Sequence, residues 1–281
     1  MKSKVFLYLK IALISLLIIL IYYNTFIWME DRWRSTGSYY SHGYLIPFIV
    51  AFLIWRLRGC FQEMNYSSCM TGIVLVSIGA FIQIASAFMR IHFTSALSFI
   101  LVLLGIVFYL FGKDIGKKLL FPILFLITMI PMPLAVIAGL SLKLKLFAAE
   151  CAMGIIRVIG IPAVQDGSKI FFSDCSLVVG DICSGLKSLI ALIAFGALFA
   201  YISSISNYMK PVLFIASIPD AVIANIIRIL ILCLVANKWG SEVATGLVHD
   251  ITGMLIFVIA FILLFGLGSS LRRLNKLSIS N

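Results

Sequence analysis

Apolar residues run along this chain in long blocks, broken at intervals by short clusters of charged and turn-forming residues. About 30 Å of hydrocarbon takes roughly 20 helical residues at about 1.5 Å each. Eight blocks approach that length: 5–28, 43–58, 71–89, 94–112, 119–139, 185–204, 211–236 and 249–271. Each is expected to be a transmembrane helix. The first is too long in its apolar stretch for a cleavable signal and ends on bulky Asn24-Thr25-Phe26-Ile27-Trp28 rather than small residues, so it is expected to stay as an anchor. The second opens at Tyr44-Leu45-Ile46-Pro47, where proline is tolerated in a first helical turn.

Residues 140–160 are nearly apolar enough to cross, but carry Lys143, Lys145, Glu150 and Arg157. A ninth crossing there would put the Arg272-Arg273-Leu274-Asn275-Lys276 tail on the outer side, so an amphipathic helix in the outer interface is expected instead. Gln165-Asp166-Gly167-Ser168 then separates two extended stretches, a type I′ hairpin signature within 163–180. The expected fold is an all-α polytopic membrane protein of about eight transmembrane helices, with the interfacial helix and a short hairpin cap on the extracytoplasmic side. No long-period repeat, low-complexity tract or soluble-domain boundary interrupts it, so residues 1–281 read as a single integral membrane domain.

Composition sharpens that picture. Hydrophobic residues make up 62% of the 281, only 12% are charged, and a water-soluble domain is excluded. The net charge of +11 would suggest nucleic acid in a soluble protein. Here it reports orientation and contact with anionic membrane lipid, and no nucleic-acid partner is expected. With the N-terminus in the cytoplasm, the inner side collects Lys2, Lys4, Lys10, Arg56, Arg58, Lys113, Lys117, Lys118, Lys210, Arg272, Arg273 and Lys276, so both termini are expected on the cytoplasmic side of a cytoplasmic (inner) membrane. The six cysteines form no CxxC pair and no Cys/His zinc spacing, so neither a metal nor another cofactor is expected.

That topology brings three reactive side chains to one depth. Cys183 precedes an inward-going helix, His249 starts the last one, and Arg228 lies 17 residues, or roughly 25 Å, along the helix that begins near Pro211. A thiol beside a helix N-terminus or a cation becomes a strong nucleophile. An imidazole can take its proton and return it to a leaving amine. A guanidinium keeps its charge and suits a developing oxyanion. Each also has a plainer role: Cys183 as a packing residue or a disulfide partner of Cys175, Arg228 as a snorkelling or structurally paired cation, His249 as a helix cap. His42, in Tyr39-Tyr40-Ser41-His42-Gly43, is an alternative base or an interfacial residue. Asn225, three residues before Arg228, shares its helix face and is placed to orient the guanidinium. Pro131 and Pro133 turn the chain out of the fifth block.

Several ordered motifs resemble the exosortase/archaeosortase family of membrane cysteine transpeptidases. They are Tyr40-Ser41-His42-Gly43-Tyr44-Leu45-Ile46-Pro47, Ile130-Pro131-Met132-Pro133, Gly160-Ile161-Pro162-Ala163 through Asp166-Gly167, and Cys183-Ser184-Gly185-Leu186-Lys187-Ser188. Pro219…Asn225…Arg228-Ile229 and His249 with Gly253 follow. The resemblance implies a catalytic trio of Cys183, Arg228 and His249, supported by Asn225, His42 and Ser184. It further implies a thiol protease and transpeptidase acting on exported proteins with a C-terminal sorting signal of the PEP-CTERM kind, comprising a short motif, a transmembrane helix and a basic tail. Cys183 would form an acyl-enzyme thioester that passes to an acceptor amine or water. Asp181-Ile182 stands where many members have Glu-Ala, and His at 249 resembles the bacterial branch. The rival reading is a non-enzymatic polysaccharide export or assembly component, with Arg228 and His249 lining a solute path.

Overall fold

The computed structural model describes residues 2–61, 68–173, 175–180 and 184–280. Five of its helical stretches are long and apolar enough to cross a membrane: Ala12–Arg34, Met70–Met89, His92–Met129, Met209–Trp239 and Ile251–Arg273. Ser41–Arg56 and Leu186–Ile202 are shorter apolar helices. The polytopic helical fold is therefore present. Contacts gather the chain into two compact units, 1–132 and 133–281, where the sequence reads as one domain.

In the first unit, α1 (Lys2–Arg34) is followed by a 3-10 turn (Ser41–Tyr44), α2 (Ile46–Arg56), the one-turn α3 (Arg58–Phe61), α4 (Met70–Met89) and α5 (His92–Phe125). Helices α4 and α5 approach through glycines: a Cβ on Gly105 would stand 2.7 Å from the Val76 backbone nitrogen, and one on Gly72 would come closer still to the Tyr109 backbone nitrogen. Small residues admit such approach where lipid offers no hydrophobic drive between helices. Buried hydroxyls join α1 to α5, Tyr22 to Ser98 at 3.0 Å and Thr25 to Ser95 at 2.6 Å, and Gln83 of α4 accepts from both serines.

The fifth expected block is the main departure: residues 119–139 do not form one helix. Where the fourth block was expected to end, helix α5 breaks at Gly112, whose φ of 84° and ψ of −179° no helix contains, and Gly116 lies against the Phe108 ring. A straight helix would hold those two about 12 Å apart, so the chain turns back on itself there. Its second arm ends in a 3-10 turn (Leu126–Met129), and helix geometry resumes only after Pro133. Pro131 and Pro133 push the residues before them into extended conformation. The helix placed at 140–160 consequently starts earlier, as α6 (Leu134–Ile159), and stops at Gly160 in the left-handed region.

The second unit continues with β1 (Ala163–Asp166), β2 (Lys169–Phe172) and β3 (Ser176–Val178), an antiparallel sheet in that order, then α7 (Leu186–Ile202), α8 (Met209–Trp239), the short α9 (Ser241–Thr245) and α10 (Leu247–Ser280). The hairpin is present but its turn differs. Asp166 pairs with Lys169, so Gly167 and Ser168 are the central residues, and only Gly167 has positive φ, at 58°. That is the type II′ pattern, with glycine first, rather than type I′. The third strand was not expected. Alanines 148, 149 and 152 with Met153 and Ile156 give α6 one buried face, while Lys143, Glu150 and Arg157 stay exposed on the other. The buried face packs with Ile170, Phe172 and Leu177 of the sheet and Ile229, Leu232 and Cys233 of α8 into one core. Lower on α8, Gly196 of α7 receives Ser217, and Phe195 of α7 meets Phe261 of α10 edge-on at 4.2 Å.

Candidate functional site

Where α7 begins, Gly185 adopts φ 77° and ψ −3°, and its carbonyl accepts from Leu189 N–H at 2.8 Å and the Ser188 hydroxyl at 2.9 Å. The buried Ser184 hydroxyl accepts from Leu186 N–H at 3.3 Å, so two residues close the first turn of the helix. Glycine is required at 185 on two counts. Its φ is left-handed, and any Cβ would stand 2.5 Å from Cγ and 2.6 Å from Nδ2 of Asn225. Asn225 thus packs its amide on the turn that leads into α7, a placement that orienting Arg228 alone does not require. Cys183 and Asp181 lie outside the described residues; the chain resumes at Ser184.

Arg228 is one helical turn beyond Asn225 on α8 and only 7% exposed. Its Nη2 donates to the His249 carbonyl at 3.1 Å and lies 3.2 Å from His249 Nε2. The Thr252 hydroxyl donates to the same carbonyl at 3.0 Å. Gly253 makes room for this, since a Cβ there would come within 3.3 Å of Nη2. The buried Nε of Arg228 has no hydrogen-bond partner among the described residues. Beside the pair opens a cavity of about 270 Å³, lined by Lys187, Ser188, Arg228 and His249, with Gly253, Ile256 and Phe257 as its apolar wall.

Two of the three expected catalytic residues are therefore in contact, with Asn225 and Ser184 packed at the adjoining helix start. Lys187 and Ser188, quoted above only as part of the Cys183-to-Ser188 motif and given no role there, also line the cavity from the first turn of α7. Asp220, eight residues before Arg228, was also passed over. It is 8% exposed, and neither carboxylate oxygen has a hydrogen-bond partner among the described residues. A single acid within an apolar run was the available cue.

His42 belongs to the first unit. Its ring stacks on Tyr40 with centroids 5.9 Å apart, and the Tyr40 hydroxyl is hydrogen-bonded to the backbone of Met132. Trp33 Nε1 donates to the Met129 carbonyl at 2.9 Å and packs directly on Gly43. Contacts from Trp33 and from the Tyr40-to-Pro47 motif thus reach Met129 and Met132 at the end of their own unit. No group of three or more His, Cys, Asp or Glu able to hold a metal ion occurs among the described residues.

No curated protein and no solved structure matches the chain. The sequence profile described as transmembrane exosortase matches residues 33–266, which takes in every motif from Tyr40 to Gly253 and most of the 281 residues. The chain belongs to the transmembrane exosortase family.

Proposed function

We propose that this exosortase is a membrane thiol transpeptidase that cleaves C-terminal sorting signals from exported proteins, with Cys183 as nucleophile, His249 as proton carrier and Arg228 as oxyanion donor. The observation that carries the reading is the Arg228–His249 contact beside the start of α7, the helix entered directly from the Cys183-Ser184-Gly185 motif. The Cys183 sulfur adds to the scissile carbonyl carbon as its proton passes to His249. The carbonyl oxygen becomes an oxyanion facing Arg228, where a preorganised donor in a water-poor site stabilises it most. Collapse breaks the C–N bond, the departing amine takes the proton from His249, and a thioester remains on Cys183. An acceptor amine or water then releases the product.

Substrate geometry supports this assignment. A sorting signal with a transmembrane helix and a basic tail lies in the same bilayer as the enzyme, and its scissile bond precedes that helix. In the eight-crossing arrangement, α1, α2, α4, both arms of α5, α7, α8 and α10 traverse the membrane, and α6 with the sheet lies at the extracytoplasmic face. Both termini are then cytoplasmic and the cavity opens outward, where the exported part of the substrate resides.

The test is to co-express the protein with an exported reporter ending in a short motif, a transmembrane helix and a basic tail, and to look for a hydroxylamine-sensitive thioester at Cys183. Cys183→Ala should insert normally and leave the reporter uncut. Normal cutting by that variant would sink the proposal.

A further inference from the structure

The first unit holds a group of cations that the proposed chemistry does not use. The first arm of α5, residues 92–111, rises about 30 Å, the thickness of a hydrocarbon layer, so the bend at Gly112 lies at a membrane boundary. Lys113 follows directly. Lys117 and Lys118 stand on the second arm roughly 8 and 9 Å beyond the bend, back at the depth of the lipid chains, and all three are exposed. Helix α2 runs between the same two levels. It starts beside the 3-10 turn that ends the second arm, and beyond its Arg56 the chain leads through Arg58 of α3 to α4, whose Gly72 meets Tyr109 just ahead of the bend. Arg56 and Arg58 are exposed as well. None of the five cations has a carboxylate partner among the described residues. With Glu63 and Asp114 counted, the stretches 56–63 and 113–118 still carry three positive charges in excess. Cations at this depth are costly unless an anion meets them there or their stems reach back to the surface. On α2, Phe48, Phe52 and Trp55 recur at helical spacing as one exposed apolar stripe. The Phe52 and Trp55 rings stack with centroids 6.0 Å apart, and the Arg58 guanidinium lies 4.1 Å from the centre of the Trp55 ring, so the stripe ends on a cation.

We propose that this end of the first unit binds an anionic phospholipid, its phosphate shared by Arg56, Arg58, Lys117 and Lys118 and an acyl chain laid along Phe48, Phe52 and Trp55. A zwitterionic headgroup fits less well, because it brings its own cation into a group that already has positive charge in excess. In the proposed orientation the lipid belongs to the cytoplasmic leaflet. The inference does not rest on the reaction proposed above, since no residue of this patch takes part in it.

The test is native mass spectrometry of the full-length protein in micelles, titrated with phosphatidylglycerol, with phosphatidylcholine of the same chains, and with inorganic phosphate. Phosphatidylglycerol should bind at least about tenfold more tightly than phosphatidylcholine. A cation beside an anionic headgroup is worth about fivefold in affinity, so Lys117→Gln/Lys118→Gln and Arg56→Gln/Arg58→Gln should each weaken phosphatidylglycerol binding by about 25-fold. Lys117→Arg/Lys118→Arg should retain it. Arg272→Gln/Arg273→Gln, which removes two cations elsewhere in the sequence, should change it by less than about threefold. Equal binding of the two lipids, or a loss in Arg272→Gln/Arg273→Gln as large as in the patch variants, overturns the site and leaves only diffuse charge. Displacement of phosphatidylglycerol by an equal concentration of inorganic phosphate also overturns it, because the patch would then take a free anion rather than a lipid. The Lys and Arg pairs lie on different helices, so if one variant fails to insert the other decides.

Discussion

Replacing Gly185 by alanine perturbs the site through one methyl group, and the structure sets the size of the effect. Two terms add. A left-handed φ of 77° disfavours a residue with a Cβ by roughly 1–2 kcal/mol. The new methyl would also stand 2.5, 2.6 and 2.9 Å from Cγ, Nδ2 and Cβ of Asn225. Ordinary carbon contacts are about 3.5–4.0 Å, and overpacking of this kind costs about 1–3 kcal/mol. The expected destabilisation is therefore about 2–5 kcal/mol, a large share of a typical folding free energy. Gly160→Ala supplies the control, because φ there is 85° with open space around the Cβ, so only the backbone term of about 1–2 kcal/mol applies. Asn225→Gly removes all three clashing atoms, so Gly185→Ala/Asn225→Gly should recover about 1–3 kcal/mol relative to the sum of the single changes. The assay is the unfolding free energy of the four variants and the wild type in one detergent. Equal destabilisation by Gly185→Ala and Gly160→Ala, or strict additivity in the double variant, would refute the packing of Asn225 on the α7 start.

Arg228→Lys should process substrate about 10²–10³ times more slowly than wild type while still capturing it on co-purification, because an ammonium lacks the planar fork of donors; near-normal turnover would exclude the oxyanion role. A cysteine at Ser168 should react with a membrane-impermeant thiol reagent on intact cells while one at Ser206 should not, and the reverse pattern would invert the topology. Asp220→Leu should raise the unfolding free energy by about 1–3 kcal/mol, since it removes a buried carboxylate with no hydrogen-bond partner among the described residues; a fall instead would mean that Asp220 has a partner outside the described residues.

Helices α1, α4, α7 and α8 were legible in the sequence because uninterrupted apolar length is itself what lipid demands. The same signal blurred at α5. The reversal at Gly112, ahead of Lys113-Asp114, falls where the 94–112 block ends, but that the following arm stops at Phe125 and a 3-10 turn shows only in the backbone. In the hairpin, Asp166-Gly167 announced a turn, but the register that pairs Asp166 with Lys169 moved its centre by one residue and changed its type. The candidate site divides likewise. Arg228 and His249 stand out because charge and imidazole are rare among apolar neighbours. Lys187 and Ser188 reach the cavity only through helix phase, and the reason for Gly185 is a side chain 40 positions away.

The length of α7 sets a further constraint on the substrate. Seventeen residues rise about 25 Å, roughly 5 Å less than an average hydrocarbon layer. In the proposed orientation, with the cytoplasmic end of α7 at its boundary, the Ser184-Gly185 turn lies below the level of the opposite headgroups. Because α7 is packed among its neighbours rather than in lipid, that turn sits recessed within the protein, and hydrophobic mismatch then acts on the incoming helix. A sorting-signal helix matched to the undisturbed membrane holds its scissile bond too high. One shorter by about three residues, or able to tilt, brings that bond down to the site. Substrate choice by this protein would then depend on how long the signal's helix is, and on the thickness of the lipid around it, as well as on the residues of the motif.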